Sequence, residues 1–363
     1  MSIVSNIFSS LKSDSESAAG VIGIDIGSSS MKVVELQERK GVITLITYGE
    51  VQLGPYAGKP IGESVILDPK QEQEALVDVI RESAVKARSA VFAMPLSSSF
   101  VTNVSIETDA DADLSALVRV EARKVIPASL SEVTLDWAEV ELTKKEAKEN
   151  ENNRRNVLIA AIQNSALERF KILMQFAGIK QPPTEIECFS TIRSLYNSEE
   201  SDIAIIDIGA VSAKLYIIRK GLLMRMYRIR AGGTIATKRI AEVLEIGFDK
   251  AEEMKYLADK QESSFADIKR AHHSSYDRAF REFKQVLREY EERTGTTIAT
   301  IYLAGGGALF PGIEIHLKEA IDRDVVLANP FSKVAYPAFM EDTMREIGPS
   351  FTVALGAALR TFE

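Results

Sequence analysis

The 363-residue chain holds one cysteine, Cys188, and three histidines, His272, His273 and His316. A single thiol excludes an intrachain disulfide and fits a reducing compartment. So few imidazoles leave little material for a metal cage, and His272-His273, adjacent in a polar stretch, read as solvated surface residues. No run approaches the ~18 apolar residues of a transmembrane helix. The opening "MSIVSNIFSSLKSDSESAAG" is broken by Ser, Lys and Asp too early for a signal peptide. An excess of positive charge is also missing: 44 Lys and Arg against 52 Asp and Glu leave a formal net charge of −8, which argues against a protein that covers nucleic-acid phosphates. What remains is the composition of an ordinary soluble globular protein, so the chain reads as cytoplasmic. Ile3, Val4, Ile7, Phe8 and Leu11 could form a short apolar face, but residues 1–20 read as a frayed tail before a Ser-rich linker.

What the sequence has is a repeat. "IGIDIGSSSMKVVEL" at 22–36 returns as "AIIDIGAVSAKLYII" at 204–218, offset by 182 residues. Asp207 falls on Asp25, Gly209 on Gly27, Ser212 on Ser30 and Lys214 on Lys32. Each copy is an apolar strand, an Asp-x-Gly turn and a second strand (Met31–Leu36 or Leu215–Ile218), which predicts two β-hairpins. A carboxylate inside an apolar strand is costly unless something compensates it.

Phosphate binding explains the pattern. Backbone N–H groups of a tight Gly/Ser turn make an anion nest, and the hydroxyls of Ser28, Ser29 and Ser30 add donors. Asp25 and Asp207 would then face a phosphate-bound Mg²⁺ through water. In the second turn Ala210-Val211 replaces two serines, so that turn relies on its N–H groups. Lys32 and Lys214 reach phosphate or lie on the sheet; for Lys214 the sheet face is favoured. A third segment, "TIYLAGGGALFPGIEIHLKEAI" at 300–321, predicts a strand (Ile301–Ala304), three glycines (Gly305, Gly306, Gly307) and a helix from about Pro311. Backbone there can lie flat against a base and ribose. With Phe310 where a third fingerprint glycine belongs, it is not a dinucleotide motif. "GPYAGKP" at 54–60 fails as a P-loop in its spacing and at Pro60.

These three motifs, in this order, resemble the actin-like ATPase superfamily, joined by "AGGTIATKRIAEVL" (231–244) and "DKAEEMKYL" (249–257). The resemblance implies ATP and Mg²⁺ as cofactors, with Gly232, Gly233, Lys238, Glu242, Glu252 and Lys255 near phosphate, ribose or nucleoside. Within the superfamily the chain resembles the PilM family of type IV pilus assembly, whose near relative is FtsA. "LVRVEARKVIPASLSEVTLDW" (117–137) and "VVLANPFSKV" (325–334) point to that family, joined by "LAGGGALFPGI" (303–313) and the closing "VALGAALRTF", and the likeness covers nearly everything after residue 20.

The implied fold is α/β, two RNase H-like lobes around a nucleotide cleft. The first lobe spans 21–97 and 179–199, with an inserted α/β subdomain at 98–178. The second spans 200–240 and 294–363, with a mainly helical subdomain at 241–293. Strands are expected at 21–26, 31–37, 42–48, 90–95, 99–107, 133–143 and 155–163. Helices are expected at 71–87, from Asp113 to Pro127, at 165–177 and at 187–198. In the Asp113 helix, Leu114, Leu117, Val118, Glu121 and Val125 share a face, with Glu121 at its edge. "KKEAKENENNRR" (144–155) reads as a polar, mobile hairpin loop.

The implied function is a nucleotide-gated adaptor that binds the cytoplasmic N-terminal tail of a PilN-like inner-membrane protein. It would lie at the cytoplasmic face of that membrane, touch lipid only indirectly and act at most as a slow ATPase. Pilus assembly ATPases are further partners to consider, self-association is left open, and no nucleic acid is expected. Glu185 and Glu187 in the connecting segment read as partner or hinge positions, with orientation of a hydrolytic water the lesser alternative. The weighed alternatives are an FtsA-like filament, disfavoured by the missing C-terminal amphipathic helix, and a small-molecule kinase, for which no substrate loop is seen.

Overall fold

The computed structural model describes residues 20–109, 112–148, 153–179, 184–197, 202–257 and 265–363. The apolar face at Ile3–Leu11 lies outside them. The first strands, β1 (Val21–Ile26) and β2 (Ser30–Arg39), are buried on both faces over most of their length, so their apolar residues need not alternate with polar ones. β3 (Val42–Gln52) extends the meander. Helix α1 (Pro69–Glu82) starts in a capping box: Asp68 accepts the N–H of Lys70 and Gln71, and the Gln71 side chain accepts the N–H of Asp68. With Pro69 preset for the first turn, the helix begins just before the predicted position. β4 (Ser89–Met94) follows.

The insertion contains β5 (Ser99–Glu107), α2 (Leu114–Val125), β6 (Val133–Val140), α3 (Lys144–Lys148), β7 (Arg154–Gln163) and α4 (Asn164–Phe176). Its sheet has the order β5-β7-β6, with Leu114, Val118 and Ala122 of α2 packed on Ile106, Val157 and Ile159. Glu121 stays at the helix edge, paired with Lys124 at 2.6 Å. Phe170 of α4 stacks on Phe92 of β4 at 4.2 Å, and Arg169 grips the buried Glu72 of α1 through two hydrogen bonds. The expected mobile loop at 144–155 is corrected in its first part. Residues 144–148 form α3, where Glu146 accepts the Thr143 N–H and pairs with Arg219 and Arg293. Opposite charges on the second half of the molecule hold what looked like a solvated run.

After β8 (Thr184–Ile186) and α5 (Glu187–Leu195), the second half repeats the first. It runs β9 (Asp202–Ile208), β10 (Ala213–Arg219), β11 (Leu222–Ile229), then helices α6 (Gly233–Leu244), α7 (Phe248–Leu257), α8 (Phe265–Ser274) and α9 (Asp277–Thr294). β12 (Ile298–Ala304), α10 (Ile313–Ile321), β13 (Val325–Leu327), α11 (Glu341–Ile347) and α12 (Thr352–Leu359) complete the chain. The two large sheets have orders β3-β2-β1-β4-β8 and β11-β10-β9-β12-β13. In each, a three-strand antiparallel meander is followed by two parallel strands. The sequence repeat is thus the visible part of a repeated sheet topology.

The closing helix α12 packs on the first sheet, among Val21, Val34, Val91 and Ala93. Small residues make this approach possible: a Cβ on Gly23 would lie 1.9 Å from the Ala354 carbonyl oxygen.

Candidate functional site

The two hairpins close in the same way. Gly27 donates its N–H to the Ser30 carbonyl at 3.0 Å, and Gly209 donates to Ser212 at 3.0 Å. Across each hairpin Asp25 pairs in register with Lys32, and Asp207 with Lys214. Both turns line one cleft of about 770 Å³, shared with Gly305, Gly306, Gly307, Phe310, Glu187, Glu252 and Lys255. That volume suits a drug-sized or nucleotide-sized ligand.

The twin turns differ in charge pairing. Lys32 lines the cleft too, but its partners are of its own sheet: it donates to Ser30 Oγ at 2.5 Å and pairs with Glu50 at 2.9 Å. Asp25 is left with burial as its dominant influence, which raises its pKa to about 7 against the pull of Lys32. Lys214 lies in the cleft, correcting the expected sheet-face position, and sits 3.0 Å from Asp207 Oδ2 and 3.1 Å from Glu187 Oε1. Desolvation works against its ammonium, but the Asp207 and Glu187 carboxylates outweigh it and push its pKa well above the ordinary lysine value.

Of the two candidate water-orienting acids, the fold brings only Glu187 to the cleft, where its Oε1 accepts the Leu96 N–H at 3.1 Å. Glu185 is buried elsewhere, bound by Arg193 and Ser190. Lys214 and Glu187 had weak sequence signals: a register position opposite Asp207, and the first residue of a helix after a parallel strand.

Gly232 and Gly233 buttress the second turn. Gly233 and Thr234 donate their N–H groups to the carbonyls of Gly209 and Ala210, each at 3.0 Å. A Cβ on Gly232 would lie 2.5 Å from the Ala210 carbonyl, so only glycine fits. Lys238 and Glu242 are not brought to the cleft: both are exposed on the outer side of α6, where Glu242 pairs with Arg239. Glu252 and Lys255 are buried on the cleft wall, 2.6 Å apart, and share Thr237 Oγ1. Burial lowers the Lys255 pKa despite Glu252.

The three glycines follow β12. A Cβ on Gly305 (φ +85°) would meet Asp207 Oδ1 at 2.3 Å, and one on Gly307 would meet Ile208 Cγ2 at 2.2 Å, whereas Gly306 faces open space. Phe310 is buried and stacks on His272 with ring centroids 3.5 Å apart. The expectation that His272 and His273 are solvated is therefore overturned: His272 is 1 % exposed, and His273 stacks on His316 at 4.3 Å. The apolar ring of Phe310 outcompetes water for the imidazole face. Burial drives the His272 pKa well below the ordinary value and the His273 pKa down to about 4.

The stretch from Leu53 to Val65, which contains the segment rejected as a P-loop, runs beside the cleft and lends it Ile61 and Gly62. Leu53 and Val65 donate N–H bonds to the carbonyls of Ser29 and Ser28, both at 2.8 Å. Between them Gly62 accepts the Thr234 hydroxyl at 3.1 Å, and its Cα packs on the Glu252 side chain. A strap over the first turn thus reaches the second sheet's helices. Among the described residues no cluster of three or more His, Cys, Asp or Glu forms a metal cage, and no helix is long and apolar enough to cross a membrane.

Comparison with known proteins bears on this geometry. The family model described as type IV pilus assembly protein PilM matches residues 23–362. Among solved structures, a chain of the PilM-PilN type IV pilus biogenesis complex superposes with a TM-score of 0.77 at 22% identity, covering 95% of this chain and 99% of that one. The ethanolamine utilization protein EutJ of Carboxydothermus hydrogenoformans gives 0.56 at 16% identity, covering 93% of this chain and 88% of that one. MreB5 of Spiroplasma citri, bound to ADP, gives 0.50 at 15% identity, covering 91% and 98%. At such identities the likeness establishes the fold.

Proposed function

The chain belongs to the family of type IV pilus assembly protein PilM, and from that premise we infer that it is an ATP-binding adaptor for the cytoplasmic N-terminal tail of a PilN-like inner-membrane protein. The observation that carries the nucleotide half is that two repeated sheets aim the same Asp-Gly turn into one cleft. Turn N–H groups and the Ser28, Ser29 and Ser30 hydroxyls are the phosphate donors. The open face of Gly306 and the Glu252–Lys255 pair form the nucleoside end. The superposing MreB5 structure carries ADP, in keeping with this assignment.

A divalent cation fits Asp25, a carboxylate that burial strains and whose register partner Lys32 has turned to Glu50. Asp207 fits one less well, because Lys214 already faces its Oδ2. When bound, Mg²⁺ supplies positive charge to the phosphate oxygens. The chain's own residues do the rest: the turns orient the phosphates, and the strap lines the cleft beside them. Glu187 is placed in the cleft, held by the Leu96 N–H, where it can orient a water.

The partner half rests on family membership and on the complex that the superposing PilM chain forms with PilN. An extended tail gains backbone hydrogen bonds and a few side-chain anchors from a groove. The inserted subdomain and adjoining first sheet offer the surface, where Ile172 and Phe176 of α4 are exposed. The partner brings the chain to the membrane. Fluorescence anisotropy of a labelled PilN-like N-terminal peptide, titrated in empty, ADP and Mg²⁺-ATP states, tests this. Saturable binding supports the adaptor; no binding by folded, nucleotide-loaded protein would sink it. Equal affinity in all three states would remove any coupling between the sites, which must be reciprocal.

A further inference from the structure

Lys214 bridges the two halves of the molecule inside the cleft. It stands on β10 of the second sheet, whereas Glu187 opens α5 directly after β8 of the first. Its ammonium therefore bridges a carboxylate of its own sheet, Asp207, and one across the cleft, at 3.0 and 3.1 Å. The equivalent Lys32 makes no such bridge and stays with Ser30 and Glu50 in the first sheet. The repeat is symmetric in backbone and asymmetric in where its lysines point.

The two partners of Lys214 are not equally replaceable. Asp207 is fixed directly across the hairpin, and its other oxygen lies over Gly305, where only the missing Cβ leaves it room. Glu187 has a second donor, the Leu96 N–H, which can keep its charge hydrogen-bonded when the lysine leaves. Breaking a buried ion pair is costly unless another charge replaces the lost one. A terminal phosphate entering between the two turns brings that charge to the cavity that Lys214 lines.

We propose that Lys214 reads the terminal phosphate of a nucleoside triphosphate, exchanging Glu187 for a phosphate oxygen, so that a triphosphate opens the ion pair across the cleft and a diphosphate leaves it closed. This rests on the nucleotide reading of the cleft. It also gives the two nucleotide states different contacts between the halves, the differential interaction that any ligand-driven conformational shift requires.

The test is calorimetric titration of the full chain with Mg²⁺-ATP and Mg²⁺-ADP, for wild type, Lys214→Met and Glu187→Gln, each checked for folding by thermal melting. Lys214→Met should lower ATP affinity about tenfold, the scale of one lost charge-assisted contact, and leave ADP nearly unchanged. Glu187→Gln, which releases the lysine, should raise the preference for ATP over ADP. Equal losses for both nucleotides in Lys214→Met, or an unaltered preference in Glu187→Gln, overturn the proposal while leaving nucleotide binding intact. Should Lys214→Met fail to fold, Glu187→Gln decides alone. Wild type that binds neither nucleotide overturns the nucleotide reading and this inference together.

Discussion

Gly356 of α12 lies against the carbonyl oxygen of Ser190 in α5, so close that a Cβ built on the glycine would stand 1.8 Å from that oxygen. Two buried helices cross there with no side chain between their backbones. Replacing Gly356 by Ala gains about 1 kcal/mol of helix propensity but forces the helices apart. Overpacking of this kind costs about 3 kcal/mol, and the obstacle is backbone rather than a flexible side chain. Gly356→Ala should therefore lower the urea midpoint clearly; an unchanged midpoint would show that the crossing tolerates a shift.

Asp25 predicts how the empty protein responds to alkali. Its folded pKa is raised to about 7 from an ordinary 3.8, so the folded state holds a proton that the unfolded chain has lost. That contribution to stability is complete below the ordinary value and disappears as pH rises through about 7. Asp25→Asn should flatten this decline, seen as a smaller loss of urea midpoint between mildly acid and mildly alkaline buffer. Mg²⁺ affinity should rise over the same interval in wild type and not in the variant.

The histidine cluster works in the opposite sense. His272 and His273 are held below the ordinary 6.5, His273 at about 4, mainly by burial and secondly by neighbouring positive groups. Stability they permit is complete above 6.5 and is lost as pH falls through the folded values. His272 Nδ1 has no hydrogen-bond partner, so His272→Phe removes a titrating group without breaking a bond and should blunt acid unfolding. Increased acid sensitivity in that variant would count against burial as the cause.

The strap makes a kinetic prediction. Gly62 has φ +80°, and a Cβ there would lie 2.3 Å from Glu252 Oε1. Gly62→Ala combines left-handed strain of about 1–3 kcal/mol with that collision, so the strap should lift from α6 and α7. Release of a fluorescent nucleotide, followed by stopped flow, should be about tenfold faster, as 1.4 kcal/mol implies. An unaltered release rate would mean that the strap does not limit exit.

The sequence determined the repeat. Asp25-Gly27 and Asp207-Gly209, with small residues at the turns and apolar strands on either side, sufficed for two hairpins, because turn geometry and a short apolar run are both local signals. The triple glycine after β12 was legible for the same reason: only residues lacking a Cβ permit the contacts seen at Gly305 and Gly307. Tertiary structure alone decided which charges meet. Lys32 and Lys214 occupy identical places in the repeat, yet one finds Glu50 beside it and the other finds Glu187 across the cleft. Lys238 and Glu242 sit in a motif that looks ligand-facing and point outward, while the pair His272-His273, polar in its surroundings, is covered by Phe310 and stacked on His316. A side chain's partner depends on which distant surface the fold sets against it, and a local pattern carries no information about that surface.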